Sequence, residues 1–412
     1  MSGRNSILAL VASVALAVTA CSDQTTAPRP SGSVGDRPNG TPSQPIIVPS
    51  SVEWQERARN LVAANNLSPL AAARIFSALS VAQYRAVMAI QFPDGNGDTP
   101  EPAATRMNGG GQHMLEGRRG AVAGASAQVL SFFFAGASGS LEQEVRRQGE
   151  LTESGVVHPA FTRGVAFGRT AGNALVERVK NDGFTTPWTG TVPVGPGKWV
   201  ANGPPAGATF GGVTPYFLTS GSQFRSPPPP AFDSPAFLAD LAEIRTLSDT
   251  RTPAQTSSAV SWNYGTGTFT PVGYWNLTAS NYVVVKAMDE LEATRTFALT
   301  NAAMMDALIA CWESKYYHWT LRPSQADQAI TMTFGLPNHP SYPSGHSCVS
   351  AAGAGVLAEL FPERKAELQT WVTEAGLSRM YAGIHYRFDI TAGKNLGEAV
   401  AQWALANANL IN

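Results

Sequence analysis

Between Leu67 and Ile90 the chain reads "LSPLAAARIFSALSVAQYRAVMAI", and no other stretch constrains the fold as strongly. Ser68 offers a side-chain acceptor for an N-cap, and Pro69 brings a preset φ to the first helical position. Ile75, Leu79, Ala82, Ala86 and Ile90 then recur at steps of three and four, the period of a helix with one buried stripe. Similar helical stretches run from about Glu116 to Phe134 and from about Phe161 to Lys180, the second stopped by "NDG". Helical signals resume from Pro235, and again from Ser280 to the end. No convincing run of strands and no internal repeat appears. The expected class is all-α, helical bundles with long loops.

Two stretches break the helical pattern. "QFPDGNGDTPEPAATRMNGGGQ" reads as a disordered insert. "TTPWTGTVPVGPGKWVANGPPAGATFGGVTPYFLTSGSQFRSPPPPAFDSP" is rich in Pro and Gly but also in aromatic residues, which a disordered linker lacks. It reads as an ordered, irregular segment packed over the helices, a candidate pocket wall.

The N-terminus has a different purpose. "MSGRNSILALVASVALAVTAC" places Arg4 before an apolar run from Ile7 to Val18, with small residues before Cys21. That is an export signal rather than a spanning helix. Its ending, Val18-Thr19-Ala20-Cys21, resembles the bacterial lipobox, which implies cleavage before Cys21 and lipidation of its sulfur. Ser22 follows where an aspartate would favour inner-membrane retention, so the expectation is an exported protein, lipid-anchored at the outer membrane. Residues 22–51 are Pro-, Ser- and Gly-rich and read as an extended tether. After Cys21 no segment reaches the roughly 18 apolar residues of a spanning helix, so the catalytic body over residues 52–412 is expected to be soluble. The formal charge of -1 and the absence of basic runs argue against nucleic acid as a partner, leaving a small-molecule substrate. Cys311 and Cys348 are expected to be buried free thiols rather than a bridge.

Three short segments near the C-terminal end carry the chemistry. In "KYYHWTLRP" Lys315 and Arg322 are seven residues apart, two turns if the helix continues to Pro323, so both would project from one face. Carboxylate partners at helical spacing are missing between them, so the pair invites an anion from elsewhere. In "HPSYPSGHSCVS" a Pro-Ser-Gly turn precedes an apolar run, so Ser344 and Gly345 would present a hydroxyl and free N–H groups at a helix N-terminus, with His346 beside them. Taken alone this is an ordinary capping turn. In "SRMYAGIHYRFD" His385 and Asp389 are four apart, which allows the carboxylate to orient the imidazole. Arg379 precedes Gly383, where the chain can bend it towards the same site, and Arg387 fits a structural salt bridge. Three cations, backbone donors and two imidazoles suit a tetrahedral oxyanion.

The three segments together resemble the PAP2 superfamily of acid phosphatases and vanadium-dependent haloperoxidases, with its pattern K-x6-R-P, P-S-G-H and S-R-x5-H-x3-D. Lys315, Arg322 and Pro323 match the first part, Pro343 to His346 the second, and Ser378, Arg379, His385 and Asp389 the third. The resemblance implies a core over about residues 280–412. It implies that Lys315, Arg322, Arg379, Ser344 and Gly345 bind oxyanion oxygens, that His346 is the acid/base and that Asp389 orients His385. In a phosphatase His385 would be the nucleophile forming a phosphohistidine, with no cofactor. In a haloperoxidase it would be the axial ligand of vanadate, which activates peroxide to oxidise a halide.

The short gap from His346 to Arg379 resembles the acid phosphatases. The large N-terminal helical region, and stretches such as "GSQFRSPPPPAFDSPAF" and "GIHYRFD", resemble bacterial haloperoxidase-related proteins. The reading leans to the haloperoxidase branch. A non-catalytic oxyanion-binding lipoprotein is the remaining alternative, which loss of His346 or His385 would have favoured. His113 and His158 lie by loops, and His318 and His339 shape the pocket or simply pack. Trp262 and Trp319 are candidates for tuning halide choice. The sequon at Asn276 is discounted.

Overall fold

The computed structural model describes residues 48–91, 111–150 and 156–412. The leader, Cys21, most of the tether and most of the insert after Gln91 lie outside the described residues. Within them every regular element is helical, apart from one isolated bridge between Lys198 and Thr320. The all-α expectation holds.

The first bundle comprises α1 (Ser50–Ala64), α2 (Pro69–Gln91), α3 (Gly111–Phe133), α4 (Ser138–Gly149) and α5 (Pro159–Lys180). Helix α1 begins before residue 51, so the end of the expected tether belongs to the folded body. The backbone N–H groups of Ser50 and Ser51 donate to the Glu290 carboxylate at 2.8 and 2.9 Å, an anion at a helix N-terminus. Helix α2 starts at Pro69, with Ser68 Oγ accepting from Ala71 N. Its burial differs from the expected stripe. Ile75, Leu79, Ala82 and Ala86 are buried, but so are Ala73, Phe76, Ala78 and Val81 on the other faces, while Ile90 is only partly covered. Neighbours α3, α5, α8 and α9 surround the helix, and its alanines and serines let them approach. Helices α3 and α5 cross more closely still. A Cβ on Gly120 would lie 2.1 Å from Phe161 O, and one on Gly164 2.1 Å from Gly117 O.

The second group comprises α6 (Pro235–Asp249), α7 (Pro253–Ser261), α8 (Thr270–Val285), α9 (Glu290–His318), α10 (Pro323–Ala326), α11 (Gly345–Leu360), α12 (Lys365–Tyr381) and α13 (Arg387–Ala406). Helix α8 begins well before the expected Ser280. The long α9 is started by a capping box, in which Asp289 Oδ1 accepts from Glu292 N and Glu292 Oε2 from Asp289 N. It runs through the middle of the molecule against α2, α8, α11 and α13.

The irregular middle segment is ordered, as its aromatic content suggested. Trp199, Phe210 and Phe217 are buried. Asp306 of α9 accepts from the backbone N–H groups of Tyr216, Phe217 and Leu218 at 2.8, 2.7 and 3.1 Å, which pins the segment to the central helix. Asn276, the discounted sequon residue, is fully buried and bonded to Gln55, so the folded chain cannot present it for glycosylation. No helix among the described residues is long and apolar enough to cross a membrane.

Candidate active site

Arg379, Gly345, His346 and His385 line one cavity of about 420 Å³, with His339 and Trp312 beside them. Each motif reaches the cavity by a different local route. Helix α11 starts at Gly345, and Ser344 is its N-cap, its Oγ 3.4 Å from Ser347 N, as the capping reading required. A Cβ on Gly345 would meet the Trp312 ring at 3.1 Å, so glycine lets the indole cover the helix start.

Lys315 and Arg322 do not share a helix face. Helix α9 ends at His318, and Trp319 follows in the left-handed conformation at φ 56°. Arg322 is extended, as a residue before proline prefers, so the break falls a turn earlier than Pro323 alone suggested. The two still converge. Arg322 Nη1 lies 3.1 Å from His385 Nε2 and donates to Ile384 O at 2.8 Å. Lys315 Nζ instead donates to three carbonyls of the loop before Ser344: Pro340 at 3.0 Å, Ser341 at 2.7 Å and Pro343. Its ammonium therefore shapes that loop from beneath, and none of Lys315, Arg322 and Ser344 is among the residues lining the cavity.

His385 and Asp389 pair, but not across a turn of helix. His385 precedes α13, whose first residue is Arg387, and Asp389 turns back from the first turn of that helix. Asp389 Oδ2 accepts from His385 Nδ1 at 2.7 Å, from Tyr386 N at 3.2 Å and from the Ser341 hydroxyl. Burial, followed by the positive charges of Arg322 and Lys315, holds His385 well below the usual imidazole range. The ring is therefore neutral, with its proton on Nδ1 and a lone pair on Nε2. His346 Nε2 donates to Trp262 O at 2.9 Å, and burial and then Arg379 keep this ring neutral too. Its Nδ1 is left as the basic atom.

Arg379 donates from Nε to Ser378 Oγ at 3.0 Å and from Nη2 to Ala259 O, under the Phe334 ring. Burial lowers Lys315 to about 8, Arg322 to about 10 and Arg379 to about 9, so all three are charged at neutral pH. All three are fully buried, and none forms an ion pair among the described residues. The nearest carboxyl group, Asp389, is itself pushed up by burial to about 6, and its Oδ1 has no partner. Buried positive charge without a matching carboxylate is costly unless an anion completes it. A tetrahedral oxyanion such as vanadate or phosphate fits this donor set: guanidinium groups, a helix N-terminus and one imidazole lone pair.

Two further residues belong here. His339 Nδ1 lies 3.0 Å from Arg322 Nη2, and its ring packs on Trp312 with centroids 5.0 Å apart. Trp312 lies one turn before Lys315 on α9, a spacing that would have flagged it. The proposed tuning residues differ from these. The Trp319 ring packs on Tyr316, Trp188 and Trp199 away from the cavity. Trp262 contributes its carbonyl while its ring is buried against Tyr274. Cys311 and Cys348 are buried free thiols beneath the site. His318 bonds Ser226 O, His158 caps α5, His113 meets Arg163, and Arg387 pairs with Glu243, all structural.

Residues 295–410 match the family model described as the PAP2 superfamily. They belong to that superfamily, and its members related to this chain are enzymes. The chain is similar to the non-specific acid phosphatase of Salmonella typhi, 29% identical over 198 residues, covering 43% of this chain and 70% of the relative. A non-specific acid phosphatase of Providencia stuartii is 37% identical over 59 residues, 14% of this chain and 24% of the relative. Among solved structures, a bacterial vanadium-dependent iodoperoxidase superposes with a TM-score of 0.71 at 23% identity, covering 89% of this chain and 98% of that one. A bacterial vanadium-dependent chloroperoxidase gives 0.65 at 15% identity, covering 84% and 93%. At these identities the structural likeness is one of fold.

Proposed function

We propose that this PAP2-superfamily enzyme is a vanadate-dependent haloperoxidase, oxidising a halide with hydrogen peroxide. The observation that carries the reading is where the cavity walls come from. Leu67 to Leu70, at the α1–α2 corner, and Ala206 and Gly207, in the irregular segment, line it. Both lie outside residues 295–410, and the solved vanadium-dependent iodoperoxidase and chloroperoxidase superpose on 89% and 84% of this chain, which supports the reading.

Bound vanadate would supply the electrophilic centre at which peroxide is activated towards a halide. His385 would hold it through Nε2, with Asp389 keeping the ring proton on Nδ1. Arg322 and Arg379 would balance the oxyanion charge, and the Ser344–Gly345 helix start would add N–H donors. His346 would accept a proton at Nδ1 and return it. Lys315 would keep the 340–343 loop in shape beneath them.

The second reading, a phosphomonoesterase with His385 Nε2 as nucleophile, is favoured by the sequence match to acid phosphatases. Set against it is the reach of the cavity to Leu67–Leu70 and Ala206–Gly207, outside residues 295–410. Purified protein assayed for p-nitrophenyl phosphate hydrolysis and, after vanadate loading, for peroxide-dependent bromination separates the two. Bromination that requires vanadate and is lost in His385→Ala is expected. Hydrolysis inhibited by vanadate, without bromination, would replace this reading with the phosphatase.

We also propose that Cys21 carries the lipid that tethers the enzyme outside the cell. Labelling with a radioactive fatty acid, lost in Cys21→Ser, is the expected result.

A further inference from the structure

The cavity is larger than an oxyanion, a peroxide and a halide need, and its lining is of two kinds. Arg379, His339, His346 and His385 are the polar part. Leu67, Leu70, Pro271, Val272 and Leu308 are an apolar part that carries no charged side chain. Its volume of about 420 Å³ lies within the range typical of sites that enclose an organic ligand. An apolar wall of this kind gives nothing to a halide or to peroxide, both of which keep better hydrogen bonds in water.

One stretch beside this apolar lining is fixed by hydrogen bonds. Residues 202–207 cross the cavity as a strap tied to Asn338, next in sequence to His339. Asn202 N donates to Asn338 Oδ1 at 2.9 Å, Ala206 N to Asn338 O at 2.8 Å, and Asn338 Nδ2 to Pro204 O at 2.8 Å. The Ala206 carbonyl also accepts from Trp312 Nε1 at 3.2 Å and Tyr316 Oη at 2.7 Å. Gly207 sits at φ 73°, where a Cβ would strike Leu70 and Trp312 at 2.6 and 2.7 Å. The strap therefore closes down on Leu70 without filling the chamber.

We infer that the apolar part binds an uncharged, largely apolar organic molecule, of about the size of a two-ring aromatic, beside the oxyanion site. The absence of lining charge selects a neutral ligand, because a buried unpaired charge there would be strongly disfavoured. Resting on the haloperoxidase reading, this molecule is the acceptor of the oxidised halogen: a C–H bond, a halide, a proton and hydrogen peroxide give a C–halogen bond and two waters. The oxygen–oxygen bond of peroxide is reduced, the halide is oxidised, and the displaced C–H proton leaves as part of water.

The test is calorimetric binding of 2-naphthol to the full chain, with and without vanadate, alongside Leu67→Trp and Thr266→Trp. Leu67 is partly exposed and Thr266 exposed, so a larger ring at either position narrows the chamber from its rim without disturbing the core. The expected result is saturable binding of one 2-naphthol, weakened about tenfold or more by the tryptophans, with vanadate affinity unchanged within about twofold. D-glucose, similar in size but polar, is expected not to bind. Equal binding of 2-naphthol to wild type and both variants, or none to the wild type, would overturn the inference. If 2-naphthol binds as described but no bromination occurs, the activity reading falls and the apolar site stands.

Discussion

Two of the buried polar clusters among the described residues differ in one respect. In the first, between α1, α2, α8 and α9, the groups satisfy one another. Gln55 Nε2 donates to Ser80 Oγ and Gln83 Oε1, Asn276 Nδ2 to Gln55 Oε1, Asn301 Nδ2 to Ser80 Oγ, and Arg59 to Asn276 and Ser280. It is a closed network with one cation dispersed over neutral acceptors. In the second cluster Lys315 and Arg322 act on His385, Arg379 lines the same cavity, none of the three forms an ion pair among the described residues, and Asp389 Oδ1 is unmatched. Burial and polarity are alike in both. What separates a structural network from a binding site is whether the account of donors, acceptors and charge closes without a ligand.

Ways to break this comparison follow in order of expected effect. His385→Ala removes the lone pair to which the second cluster is built, and turnover should fall by about a thousandfold or more. A steady-state assay with the most active substrate pair checks this, and a loss under tenfold would put the chemistry elsewhere. Arg322→Met keeps the length and removes the charge. Oxyanion affinity should drop by about a hundredfold, read by vanadate titration, since charge-assisted donors of this kind carry two to three powers of ten.

The pH response sharpens the contrast. His346 and His385 are held neutral by burial and by neighbouring cations, and an arriving anion favours their protonation. Lys315, lowered to about 8, loses its charge as pH rises through that value. Both effects carry the same sign: anion affinity should weaken as pH rises from 6 to 9, by up to about tenfold per unit for each coupled proton. Sulfate, whose charge is constant over this range, is the suitable titrant, and flat affinity would contradict the assignment. Asn276→Ala opens the closed network instead. It should cost about 1–3 kcal/mol in denaturant unfolding, because Gln55 and Arg59 lose buried partners, while vanadate affinity shifts less than twofold. A change in affinity of the same order as the change in stability would mean that the two clusters are coupled.

The site was more legible than the scaffold. Short-range chemistry explains that. The Ser344–Gly345 helix start and the His385–Asp389 pair are set by residues within four positions of each other. The expected geometry was wrong in places where a competing local rule won. Trp319 entered the left-handed region and ended α9 before Arg322, and Asp389 reached His385 from the first turn of a helix rather than along it. Helix α4 was hard to read because "SGSLEQEVRRQG" is short and polar, and only Leu141 and Val145 mark its buried side, with Glu144 and Gln148 between and after them. His339 and Trp312 carried no motif, and Asn338 and the 202–207 strap meet only through folding.

By itself, the sequence determined the class of the fold, the helix start that presents Ser344 and Gly345, and the cationic and imidazole groups available to an oxyanion. These follow from local backbone preference and from residue chemistry, which act over a few positions. Only the tertiary structure decided that Lys315 supports a loop while Arg322 meets His385 and Arg379 lines the cavity. It alone brought the start of α2 and the strap, more than a hundred residues before Trp312 in sequence, to the same cavity. Burial is the physical reason. The charge state of His385, the lack of ion pairs at the three cations among the described residues and the apolar lining of the chamber depend on what excludes water, and that is settled only when distant segments pack together.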